Sequence, residues 1–150
     1  MSDGAPARRK VIAWLLGGVA FLAGRGPFAR AQQHAASDAA ADRRWIEAAF
    51  AMRRLAESWG DQSYGAVVVL DGALVGEGPS RVVKLNDPDA HAEREAIRDA
   101  QTPLGRKDLD GAVLYSTSRP CRRCEGIAAE ARIARMVYGA DGSDAGRPKP

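Results

Sequence analysis

The feature that most constrains this chain is a pair of short motifs about thirty residues apart. Of its two histidines, His91 opens His91-Ala92-Glu93, directly after the turn Asn86-Asp87-Pro88-Asp89. Its only two cysteines lie in Pro120-Cys121-Arg122-Arg123-Cys124. Each motif sits where a helix is expected to begin. Two cysteines separated by two residues at a helix start can turn both sulfurs to one point, where the unpaired N–H groups and the helix dipole favour thiolates. Together with His91 they offer one nitrogen and two sulfurs, which leaves a tetrahedral zinc one open position for a water of lowered pKa. Glu93, displaced around the helix axis from His91, need not bind the metal and can move protons between that water and a leaving amine. Taken alone, His-x-Glu is common at solvated helix starts. Cys-x-x-Cys in an exported protein also fits a redox pair or a disulfide. A zinc site drawn from both motifs forms only when the fold forms.

The rest of the chain supplies elements to carry such a site. From about Ser37 to Trp59 the pattern is helical, with Trp45, Ala48, Met52, Leu55 and Trp59 on one face. The runs GAVVVL and ALVGEG flank Asp71-Gly72, a two-residue hairpin signal. A loop from Pro79 to Asp89 leads to a helix from Ala90 or His91 to about Ala100, and Thr102 to Asp110 reads as a polar connection. AVLYST (112–117) is a strand, Arg122 to Arg132 a helix, and RMVYGA (135–140) a last strand. The final strand-helix-strand unit should be parallel, with the hairpin as an antiparallel edge. The fold class is α/β: a three-layer α/β/α domain over residues 45–140, with a mixed sheet of about four strands. Residues 32–44 read as a tether and 141–150, nearly devoid of apolar residues, as a disordered tail.

A chain of 150 residues is enough for one domain of this kind. Its net charge of +3 is concentrated at the N-terminus. Residues 1–31 hold five basic side chains against Asp3, leaving 17 basic and 18 acidic residues in the remainder. A near-neutral body gives no strong nucleic-acid signal. Arg8-Arg9-Lys10 precedes a 14-residue apolar run and a small-residue site at Ala29-Arg30-Ala31, so residues 1–31 read as an export signal. The run is shorter than the roughly 20 residues a spanning helix needs, so no permanent membrane span is expected after cleavage. The arginine pair resembles a twin-arginine signal, with Sec export as the other route. The expected location is periplasmic, or membrane-anchored if the N-terminus is not cleaved.

His91-Ala92-Glu93 followed by Pro120-Cys121-x-x-Cys124 resembles the signature of the zinc-dependent cytidine and deoxycytidylate deaminase superfamily. Asn86 to Glu93, Leu114-Tyr115-Ser116-Thr117 and Val137-Tyr138-Gly139 are most similar to its guanine deaminase and tRNA adenosine deaminase branch. The resemblance implies a cytidine-deaminase-like fold that is shortened at its C-terminus. It implies one zinc held by His91, Cys121 and Cys124, Glu93 as proton shuttle, and the Ala92 N–H offered to the substrate ring. It also places Ser80 where that branch carries a substrate-binding asparagine, Arg119 where glutamate is common, and Arg123 where methionine is common. The expected protein is a hydrolase, a homodimer that deaminates a free nucleobase or nucleoside, with a purine such as guanine favoured. The alternatives are a tRNA adenosine deaminase, and a non-catalytic or redox Cys-x-x-Cys protein on the same fold.

Overall fold

A computed structural model describes residues 27–150, with side-chain surroundings from residue 38 onward. The expected export segment lies largely outside the described residues. Among the described residues no helix is long and apolar enough to cross a membrane. The elements are α1 (Pro27–Ser58), β1 (Gly65–Leu70), β2 (Ala73–Pro79), α2 (Ala92–Leu104), β3 (Val113–Ser116), α3 (Arg122–Glu130), β4 (Arg135–Tyr138) and β5 (Ser143–Gly146). They form a five-stranded sheet in the order β2-β1-β3-β4-β5. β3 and β4 are parallel, and the other neighbouring pairs are antiparallel.

Alternation along β1 sorts the core into two layers. Val67 and Val69 pack with Trp45, Ile46 and Ala49 of α1, together with Tyr115 and Val137. Ala66 and Val68 face the other way, towards Ala92, Ala96 and Ile97 of α2, Ala128 of α3, and Ile133. The hairpin turn has positive φ at both Asp71 (51°) and Gly72 (74°), the two-residue geometry whose twist matches paired strands.

The helices lie unusually close to the sheet, and glycines make this possible. A Cβ on Gly78 would stand 2.0 Å from the Ala92 carbonyl oxygen and 2.4 Å from the Ala96 nitrogen. One on Gly76 would stand 2.2 Å from the Ala96 oxygen. On the opposite face, one on Gly65 would stand 2.2 Å from the Ala49 oxygen. These three approaches set the height of α2 and α1 above the strands.

Three sequence expectations need correction. The buried face of α1 is Trp45, Ile46, Ala49 and Ala56, whereas Leu55 and Trp59 are 38% and 37% exposed. Ala49 faces β1 where Gly65 lets the helix backbone in, and Leu55 and Trp59 turn outward. The expected tether, 32–44, is part of α1, in keeping with the high helix propensity of its alanines. Asp42 in this stretch accepts hydrogen bonds from Arg135 Nη1 (3.0 Å) and Nη2 (2.7 Å) and from the Tyr115 hydroxyl (2.7 Å), tying α1 to β3 and β4. The tail expected to be disordered forms β5, so the sheet has five strands rather than about four. Arg135 Nε donates to Asp144 Oδ2 (2.9 Å), Ala145 packs on the core, and Lys149 N donates to Glu125 Oε1 (3.2 Å). Ion pairs and main-chain bonds hold this strand, and they leave no hydrophobic alternation to read.

The close approach makes glycine substitutions diverge in sign. Gly78→Ala should destabilise by about 3 kcal/mol, since helix backbone must move. Gly126→Ala, in α3 with nothing within 4 Å of the added methyl, should stabilise by roughly 0.5–1 kcal/mol. Denaturant midpoints at constant slope measure both.

Candidate metal centre and active site

The sheet register brings three loops to one end. Gly65 pairs with Pro79 and Ala66 with Ser116, so the start of β1 and the ends of β2 and β3 coincide. β2 and β3 both run antiparallel to β1 and are therefore parallel to each other. Both α2 and α3 are thus crossover helices between parallel strands, stepping in the same direction across the sheet. The right-handed rule for such crossovers puts them on one face, with their N-termini at this same end.

His91 is the N-cap residue of α2 and Cys121 that of α3, both with extended backbone (φ −65°, ψ 153° and φ −70°, ψ 162°). The loop before α2 closes on itself: Arg81 N donates to the Ala90 carbonyl at 3.0 Å, and Ala90 is fully buried. Cys121 Sγ accepts the Cys124 N–H at 3.4 Å, which folds the pair around the helix start. His91 Nδ1 lies 3.8 Å from Cys121 Sγ and 3.5 Å from Cys124 Sγ. The three ligand atoms lie within 4.8 Å of one another. A tetrahedral zinc with ordinary bond lengths would hold nitrogen and sulfur about 3.6 Å apart, so the donor set fits this ion. Asp89, two residues before His91, pairs with Arg94 (3.1 Å) and with Arg123, which lies between the cysteines. It joins the two ligand-bearing arms.

A cavity of ≈ 290 Å³ opens beside these ligands. Gln62 and Tyr64 line it from the loop before β1, His91, Ala92 and Glu93 from the start of α2, and Ser118, Arg119 and Cys121 from the loop after β3. Glu93 is 7% exposed, and burial pushes its carboxyl above the usual range. Burial, then the neighbouring Glu93 and Cys121, push the Cys124 thiol upward as well. Cys124 binds a metal as the thiolate, so metal binding releases its proton.

Five residues expected from sequence meet at this end of the sheet: His91, Ala92, Glu93, Cys121 and Cys124. Ser80 does not join them. It is fully buried, is not among the residues lining the cavity, and donates its hydroxyl to Asp61 Oδ1 at 2.9 Å. Asp61 also accepts the main-chain N–H groups of Gln62 and Lys84, each at 2.8 Å. Burial would raise this carboxyl, but those donors hold it below its usual range. Asp61, Gln62 and Tyr64 were not singled out from sequence, because a polar stretch after Gly60 reads as an ordinary turn, and neither was Ser118 in the loop after β3.

The family model for the cytidine and deoxycytidylate deaminase zinc-binding region matches residues 39–140. The chain belongs to this family. It is 45% identical over 82 residues to the guanine deaminase of Bacillus subtilis, covering 55% of this chain and 53% of that protein. It is 42% identical over 96 residues to a tRNA-specific adenosine deaminase of Agrobacterium fabrum, covering 64% of this chain and 63% of that protein. The chain therefore spans between half and two thirds of these curated relatives. Among solved structures, the X-ray structure of the Bacillus subtilis guanine deaminase superposes with TM-score 0.62 at 38% identity, over 65% of this chain and 62% of that one. A structure from a study of A-to-I editing by tRNA:A34 deaminases superposes with TM-score 0.62 at 41% identity, over 64% and 70%. The fold is cytidine-deaminase-like. Its metal is zinc, and His91, Cys121 and Cys124 are positioned to hold it.

Purified chain should carry about one zinc, and Cys124→Ala should lose most of it, as measured by atomic emission on dialysed protein. A metal-free native chain with Cys121 and Cys124 joined as a disulfide is the opposite outcome and would support the redox reading.

Proposed function

We propose that the chain is a zinc-dependent hydrolytic deaminase of a small purine base or nucleoside, with guanine favoured. The observation that carries this reading is the placement of Glu93, a buried carboxyl lining the same small cavity as His91 and Cys121. Zinc held by His91, Cys121 and Cys124 supplies Lewis-acid activation of a water. Deamination adds the water oxygen to the amino-bearing ring carbon and breaks the carbon–nitrogen bond, so that ammonia leaves. The two water protons have separate destinations, the ring nitrogen and the departing amine. Glu93 carries both in turn, alternating between base and acid. Ala92, the first residue of α2, has a main-chain N–H with no partner inside the helix, and it lines the cavity where a ring atom can accept it. Tyr64, 47% exposed at the cavity wall, offers an aromatic face to a planar base.

A tRNA adenosine substrate is the second reading. It is favoured by the exposed Arg119 on the cavity rim and by the tRNA-specific relatives. The near-neutral body and a cavity at the small end of the ligand-site range favour a free base or nucleoside.

Ammonia release should be measured on guanine, adenine, cytosine, their nucleosides and an anticodon stem-loop RNA. Release from a purine base or nucleoside is expected, and release from the RNA alone would favour the second reading. Glu93→Ala should lower turnover by about 10²–10⁴-fold while zinc content is retained. Unchanged turnover would remove Glu93 from the chemistry.

A further inference from the structure

We propose that Gln62 reads the hydrogen-bonding edge of the substrate base; this rests on the purine deaminase reading above. A purine ring presents donors and acceptors side by side, and a site that discriminates between rings has to match them in pairs. The side chains lining the cavity can be sorted by what they offer. His91 and Cys121 are committed to the metal, and Glu93 to proton transfer. Arg119 can only donate, and Ala92 contributes only its main chain. Tyr64 and Ser118 each have a single hydroxyl oxygen. Gln62 alone among these side chains carries a donor and an acceptor on separate atoms of one rigid plane.

Its surroundings leave that carboxamide free while fixing its base. Gln62 is exposed, and among the described residues its side chain makes no hydrogen bond. Its main chain is held at both polar atoms: the N–H donates to Asp61 Oδ1 at 2.8 Å, and the carbonyl accepts from Tyr64 N at 2.7 Å. Asp61 is itself 8% exposed and is anchored by Ser80 and the Lys84 N–H. Asp61 thus acts as a bracket: it takes up the hydroxyl of Ser80, which stays out of the cavity, and it fixes Gln62 at the cavity wall. Gln62 is a specificity-determining residue, and Asp61 is its positioning residue.

The test uses zinc-loaded full chain, calorimetric titration with the purine analogue 8-azaguanine, and steady-state ammonia release from guanine. Gln62→Met keeps side-chain length without paired hydrogen-bonding groups, and Gln62→Asn keeps the amide on a shorter stem. Gln62→Met should raise the Kd for 8-azaguanine and the KM for guanine by about tenfold, with kcat little changed. Gln62→Asn should recover part of the loss, and melting temperatures should stay at the native value because the side chain is exposed. If native protein binds and deaminates while Gln62→Met matches it in Kd and KM, the role of Gln62 is overturned and the deaminase reading stands. If native protein binds the analogue but releases no ammonia from guanine or from the other purine bases and nucleosides of the panel, the deaminase reading fails, and the Kd of Gln62→Met still decides base recognition. Native protein that binds no purine overturns both.

Discussion

The contact on which the rest of this structure depends is the seam between β2 and α2, where Gly76 and Gly78 receive Ala92, Ala96 and Ala100. Two glycines in a strand give up side-chain packing and cost conformational entropy. In return the helix backbone comes within van der Waals reach of the strand, at native packing density. The consequence for function is positional. α2 carries His91 immediately before its first turn and Glu93 within it, so the height of α2 above β2 fixes where nitrogen and carboxyl lie relative to α3. A methyl group on β2 would therefore be felt at the metal ligands, although β2 contributes no ligand.

Burial then determines how the site works. The cavity end of α2 is closed tightly enough that Glu93 and Cys124 both meet a penalty for ionising. In a metal-free chain the Cys124 thiol favours the Glu93 carboxylate, whereas that carboxylate opposes ionisation of Cys124. A divalent cation held by Cys121, Cys124 and His91 would compensate the sulfur charge and so couple zinc binding to folding. Asp89, held between Arg94 and Arg123, keeps the two arms together across the exposed rim, where solvent screens the pair and makes it a modest contributor.

Legibility in the sequence followed the range of the interactions. The zinc motifs were readable because each is local: His91 and Cys121 precede helix starts, and the Cys121–Cys124 spacing alone brings both sulfurs to one side. β1 and β2 were readable from the runs GAVVVL and ALVGEG on either side of Asp71-Gly72. The face of α1 was not, because hydrophobic size pointed to Leu55 and Trp59 whereas the Gly65 contact selects Ala49. β5 was hidden because Asp144 and the main chain hold it, with little apolar burial. Ser80 was misplaced for a related reason. A sequence position fixes where a side chain starts along the strand end but not which partner captures it. Asp61, nineteen residues earlier, is that partner.

These two ranges of interaction also separate the parts of the site that can vary. The metal ligands and Glu93 sit on helix starts locked by the glycine seam and by two crossovers sharing one sheet end. The remaining cavity wall, Gln62 and Tyr64 on one side and Ser118 and Arg119 on the other, comes from loops. Structures named for guanine deaminase and for tRNA:A34 deaminases share this fold at similar identity, in keeping with one frame carrying different loops. In the proposal made above, the choice of ring falls to the short segment before β1. There a single buried carboxylate, Asp61, takes up the Ser80 hydroxyl and holds the main chain of Gln62 at the cavity wall.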